Sequence, residues 1–188
     1  MKISKVILPS NSILYNTDFD FVDSYRGKYI DQNDEITAQD IGKAFFKSSP
    51  KWFEKLFEIR NGIVSVLGLK TSGKTKSKKE LIDKFTCEPN ERLGLFKVFY
   101  KTEHEVILGE DDKHLDFRIS LLKTNDLENK GSNFLTISTT VQFNNWFGKL
   151  YFLPVKPFHK LIVPIMLKGI IKEIESDIDN LQEQKSNR

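Results

Sequence analysis

Apolar and polar residues alternate along the chain in two rhythms, and the changes of rhythm divide it into elements. FDFVDSYRGKYI (19–30) alternates apolar and polar residues, with aromatics throughout, which is the period of a strand. Thr37 then opens TAQDIGKAFFKS with Asp40 three positions on, a variant of the capping box that predicts a short helix ending near Ser48. Ser49-Pro50 sets a good N-cap before a proline at the first helical position. Trp52, Phe53, Leu56, Phe57, Arg60, Ile63, Val64 and Leu67 follow at spacings of three and four, only Arg60 breaking the apolar stripe. They predict a second, amphipathic helix, with Gly68 suited to end it.

Beyond Pro89 the alternation returns. GLFKVFYKT (94–102), EVILG (105–109), HLDFRISLLK (114–123) and FLTISTTVQFNN (134–145) are separated by short polar turns, as successive antiparallel strands are. NNWFGKLY reads as another turn. KPFHKLIVPIMLKGIIKEIESDIDNLQ reads as a long terminal helix, with Pro164 expected to kink it or delay its start. Phe158, Ile162, Ile165 and Met166 are expected to face the sheet, with Lys160 and Lys168 in water. The predicted class is α+β: a curved antiparallel sheet wrapped around a long C-terminal helix, with two shorter helices after the first strand. This resembles the helix-grip layout of the START-like superfamily. One domain is expected over 1–182, with 183–188 as a disordered polar tail.

Composition narrows the classes. A chain of 188 residues, 39% hydrophobic, suits one soluble domain with a full core. A net charge of +3 is too small to indicate a nucleic-acid partner. The single cysteine, Cys87, makes no internal disulfide and points to a reduced compartment. The N-terminal apolar run VIL is too short for a signal peptide, and LIVPIML falls short of the roughly 20 apolar residues that span a bilayer. The expected location is cytoplasmic, with no membrane span.

GLKTSGKT (68–75) matches the phosphate-loop pattern, with Gly68, Gly73, Lys74 and Thr75 at the defining positions. A phosphate loop needs a buried strand before it, whereas IVSVL (63–67) continues a helical stripe already in phase. It also needs a second acid at the end of an apolar strand, and no aspartate follows four apolar residues. The match is taken as chance, and no nucleotide, other cofactor or metal is expected.

Four stretches resemble one family, the domain-of-unknown-function family 2867: DSYR (23–26), PKWFEKLFEIRNGIVSVLGLK (50–70), EVILGEDDKHLDFRIS (105–120) and NNWFGKLYFLPVKPFHKLIV (144–163). The resemblance implies a helix-grip domain of the START-like kind, with an apolar cavity between sheet and terminal helix. In that family the stretch matching GLKTSGKT follows the second helix and is not a nucleotide site. Some relatives carry the domain behind an NAD-binding reductase domain. This chain has no G-x-G-x-x-G, so any such reductase would be a separate partner.

Candidate chemistry is sparse. On HLDFRIS, parity puts Leu115, Phe117, Ile119 and Leu121 on one strand face and His114, Asp116, Arg118 and Ser120 on the other. The polar set would suit an anionic or carbonyl-bearing ligand, or equally a solvated face with cross-strand pairs; the solvated face is taken. Arg60 interrupts the apolar stripe of the second helix, where its head either snorkels to water or points into the cavity. Tyr151 and His159, flanking Pro154 and Pro157, are placed at the cavity mouth. Glu110, Asp111 and Asp112 read as a turn, His104, His114 and His159 match no zinc spacing, and Cys87 has no base beside it. The expected function is binding of a small apolar or amphipathic molecule, with no catalytic residue assigned. The alternatives are a cyclase- or isomerase-type enzyme using His114 or Asp116 as general base on a carbonyl compound, and a partner module for a separate NAD-binding reductase. A homodimer also stays open.

Overall fold

Strands β1 (Ile3–Val6), β2 (Phe21–Ile30), β3 (Arg92–Leu93), β4 (Phe96–Lys101), β5 (Glu105–Asp111), β6 (Leu115–Asn125) and β7 (Ser132–Phe143) pair into one antiparallel sheet in the order β1-β2-β7-β6-β5-β4-β3. Helices α1 (Ala38–Lys47) and α2 (Lys78–Lys84) follow β2, and the 41-residue α3 (Trp146–Ser186) closes the fold. This computed structural model describes residues 1–48 and 78–186. The second helix predicted from Ser49-Pro50, the GLKTSGKT loop and Arg60 lie outside the described residues.

The alternation in the strands becomes two sheet faces. Tyr25 pairs with Ile137, Ile137 with Leu121, and Leu121 with Val106, a continuous buried row across four strands. Val163, Met166, Leu167, Ile170, Ile171, Ile174 and Ile178 of α3 complete the core against this inner face. The α1 helix adds Ile41, Phe45 and Phe46, with the Phe45 and Phe96 rings edge to face at 5.4 Å. Its start is the capping box expected from the sequence. Asp40 N donates to Thr37 Oγ1 (3.2 Å), and Thr37 N donates to Asp40 Oδ2 (3.0 Å).

The outer face is not simply solvated. Ser24, Ser138 and Ser120 lie side by side in register and are buried, as are Ser12 and Leu14 of the segment between β1 and β2. Glu105 ties that segment down, accepting from Ser12 Oγ (2.6 Å), Ile13 N (2.8 Å) and Ser120 Oγ.

Two expectations for the terminal helix need correction. NNWFGKLY is not a turn, because α3 begins at Trp146, where Asn145 Oδ1 accepts from Gly148 N (3.1 Å) as an N-cap. Gly148 also permits the close approach to β6, since a Cβ there would lie 2.1 Å from His114 O. The helix continues through Pro154, Pro157 and Pro164 to Ser186, beyond the predicted start of a tail at 183. Each proline lacks the N–H that would pair with the carbonyl four residues earlier, freeing those of Leu150, Leu153 and Lys160. All three residues lie on the exposed side.

The buried face of α3 also differs from the expected one. Met166 is buried and Ile162 packs partly against the core, but Phe158 is 59% and Ile165 51% exposed. Lys160 and Lys168 are exposed as expected. The first half of α3 is apolar on two sides, so periodicity alone did not pick the inner one. That side runs through Phe152, His159, Val163, Met166 and Ile170.

Candidate functional site

Under the first half of α3 the inner face turns polar. Asp23 shares the inward parity of Tyr25 on β2, directly opposite Thr139 of β7, and its side chain is only 1% exposed. His159 reaches down from α3, one turn before the buried Val163. Its Nδ1 stands 4.0 Å from Asp23 Oδ2, longer than a hydrogen bond. Lys5 of β1 brings Nζ to 3.1 Å from Asp23 Oδ1 as an ion pair without hydrogen-bond alignment. Among the described residues, both Asp23 oxygens, His159 Nδ1 and Thr139 Oγ1 are buried without a hydrogen-bond partner.

Aromatic rings wall this cluster. Phe21 meets Phe152 at 4.9 Å and the His159 ring at 5.9 Å, both edge to face, and Phe143 lies 5.6 Å from Phe152. Tyr151 and Val155 pack against the same group, and Lys156 Nζ sits 5.6 Å over the Phe21 ring. Burial pushes the His159 imidazole below its ordinary value of 6.5, with the charge of Asp23 opposing the shift. The Tyr25 phenol is pushed up, first by burial and then by the Asp23 carboxylate beside it.

The His159 shift has a sign that can be tested. With its folded value depressed, the unfolded chain takes up the proton first as pH falls through about 6.5. Stability present above that pH is therefore lost between it and the lower folded value. Urea midpoints should fall between about pH 7 and 5, and His159→Gln should flatten that slope. An unchanged slope in the variant would show that the imidazole is not held neutral by burial.

The other candidate residues are dispersed. Asp116 and Arg118 lie on the outer face, opposite Leu115, Phe117, Ile119 and Leu121. Arg118 Nη2 donates to Asp111 Oδ1 (2.5 Å), and its guanidinium sits 3.6 Å over the Phe99 ring. Asp116 Oδ1 accepts from Asp112 N (3.1 Å) and Asn144 Nδ2 (3.0 Å), which ties the turn before β6 to the end of β7. His114 stacks 4.7 Å from Phe147, and its Nδ1 lies 3.3 Å from Asn145 Oδ1, beside the start of α3. Of the predicted ligand-binding residues among the described ones, Tyr151 and His159 lie by the aromatic group around Phe21, and His114, Asp116 and Arg118 lie away from it.

Elsewhere the chemistry is quiet. No group of three or more metal-ligating side chains occurs among the described residues. Burial pushes the Cys87 thiol up to about 12, and its Sγ fills the space over Gly42, where a Cβ would lie 2.4 Å from it. A cleft of about 350 Å³ opens at the opposite end of β2, lined by Ile30, Gln32, Glu175, Ile178, Asp179 and Gln182. Four of those six side chains are polar, which does not suit an apolar ligand.

Sheet, terminal helix and the polar cluster between them define an α+β protein of helix-grip-like architecture. The chain belongs to the family described as "Protein of unknown function (DUF2867)", whose model matches residues 16–166. That span contains Asp23, Thr139 and His159. No curated protein and no solved structure matches the chain significantly.

Proposed function

We propose that the domain binds a small amphipathic molecule between the sheet and the first half of α3. Asp23, Thr139 and His159 take its polar head, and Phe21, Tyr151, Phe152 and Val155 take its apolar body. One observation carries this reading: a buried carboxylate, an imidazole nitrogen and a hydroxyl converge without hydrogen-bond partners inside a largely apolar interior, the carboxylate meeting Lys5 as an ion pair. Each unpaired buried polar group costs about 1–3 kcal/mol, so stability alone favours apolar side chains at these positions. Apolar pockets with a few placed polar groups are the common form of small-molecule sites. An ionised carboxylate only accepts, so the head group it selects is a donor, such as an alcohol or amine.

Native mass spectrometry of the purified protein, with thermal-shift screening of long-chain alcohols and amines, tests this. Wild type should carry or bind such a molecule, while Asp23→Asn and Thr139→Val should lose it. Thr139→Val should keep a thermal midpoint at or above that of wild type, because it removes a buried hydroxyl without a hydrogen-bond partner, while Asp23→Asn also gives up the ion pair with Lys5 and is read for binding alone. If wild type shows neither an adduct nor a shift, or the variants bind equally well, the assignment fails.

A second reading has support from the same pair. A histidine facing a carboxylate in a partly dry site is suited to general-base chemistry near neutral pH, as a cyclase- or isomerase-type enzyme acting on a carbonyl compound would need. Turnover lost in His159→Gln with binding retained would favour it over binding alone.

A further inference from the structure

The side of α3 turned away from the sheet carries a second apolar stripe. Trp146, Leu150, Leu153, Phe158, Leu161 and Ile165 are each more than half exposed, Trp146 at 74% and Leu161 at 67%. Lys149, Lys156 and Lys160 follow one flank of the stripe, and Lys168 lies beyond its end; all four are exposed. No acid occurs in the sequence between Glu128 and Glu173. This half of the helix is therefore apolar and purely cationic. Scattered exposed hydrophobes are ordinary on a protein surface, but a contiguous helical stripe of large ones marks a contact site.

We propose that this face docks in the plane of an anionic membrane surface. An interfacial helix has this form: tryptophan, phenylalanine and leucine on the buried side, with lysines along the polar margin to meet anionic headgroups. Within Trp146–Lys185, an 18-residue window has mean hydropathy 1.3 and is 22% buried, apolar enough by composition to cross a bilayer. The fold opposes crossing. The other side of the same helix holds His159 and the sheet core, and Leu150 and Leu153, whose carbonyls lose their helical donors to Pro154 and Pro157, lie on the exposed side. Those carbonyls need hydrogen-bond partners that the hydrocarbon interior lacks and the headgroup layer supplies. A second copy fits less well, because a two-fold interface sets the same lysine-lined patch against itself with no acid from this half of the helix to answer it.

Co-sedimentation of the full chain with phosphatidylcholine vesicles, with and without phosphatidylserine, tests the proposal, with analytical ultracentrifugation run alongside. The expected result is binding to the phosphatidylserine vesicles, weakened by salt and reduced roughly thirty-fold by the double variant Lys149→Ala, Lys160→Ala, from the attraction typical of two surface lysines. Leu153→Ser with Leu161→Ser should abolish binding and leave the thermal midpoint unchanged, since both positions are exposed. Brominated lipids should quench Trp146 fluorescence in wild type and not in Trp146→Phe, read as the difference between the two proteins. Binding to neither vesicle, equal binding to both, or a dimer that Leu161→Ser dissociates in the absence of vesicle binding would each overturn it. None of these outcomes bears on the Asp23 site, which lies on the opposite side of the helix.

Discussion

Truncating Ile170 to alanine is expected to lower the unfolding free energy by about 2–5 kcal/mol, the range for removing buried aliphatic carbons and leaving a cavity. Ile170 is 0% exposed and belongs to the main core between α3 and the sheet. The neighbouring packing is constrained by the sheet, so the space would close only in part. Leu161→Ala is the matched control on the outer side of the helix and should change stability by less than about 0.5 kcal/mol. Urea unfolding of both variants decides the orientation of α3. Comparable losses at the two positions would mean that the helix is rotated from the placement described.

Replacing Glu105 with alanine is expected to have a similar effect for a different reason. The side chain is buried and gathers two hydroxyls, from Ser12 and Ser120, and the amide of Ile13. Without it, two buried hydroxyls and the part-buried Ile13 amide lose their acceptor, the hydroxyls at about 1–3 kcal/mol each, reduced where they rotate to other partners. A loss of about 3 kcal/mol is expected, with increased protease cleavage in the segment between β1 and β2. Glu105→Gln keeps one acceptor oxygen and should recover part of it. Alanine at 105 with full stability and unchanged cleavage would show that the segment is held by Leu14 alone.

Much of this fold was legible in the sequence, and the misses have identifiable causes. The capping box at Thr37 and the four strands beginning at GLF were readable because local chemistry and local periodicity agree with the final packing. Parity on HLDFRIS separated the core-facing Leu115, Phe117, Ile119 and Leu121 from Asp116 and Arg118, since a strand has only two faces. The α3 helix has more ways to turn. With apolar residues on both the inner and outer sides of its first half, the pattern did not choose between Phe158 and His159, and the prolines hid its true start. Short β1 and β3 carry too few residues to show a period. The Asp23–His159 pairing was invisible for a deeper reason. The two residues lie near opposite ends of the chain, and only the meeting of β2 and α3 makes neighbours of them.

That distant meeting also orders events in time. β2 pairs along its whole length with β7, and the helix that completes the inner core comes after every strand. During synthesis from the N-terminus, β2 waits for a partner more than a hundred residues downstream, and Leu121, Leu135 and Ile137 have no α3 to cover them until it emerges. Chains dominated by such remote pairings fold slowly, and their unfinished sheets expose apolar faces to one another. Nascent chains halted after β7 should therefore be the form that chaperones hold and proteases find.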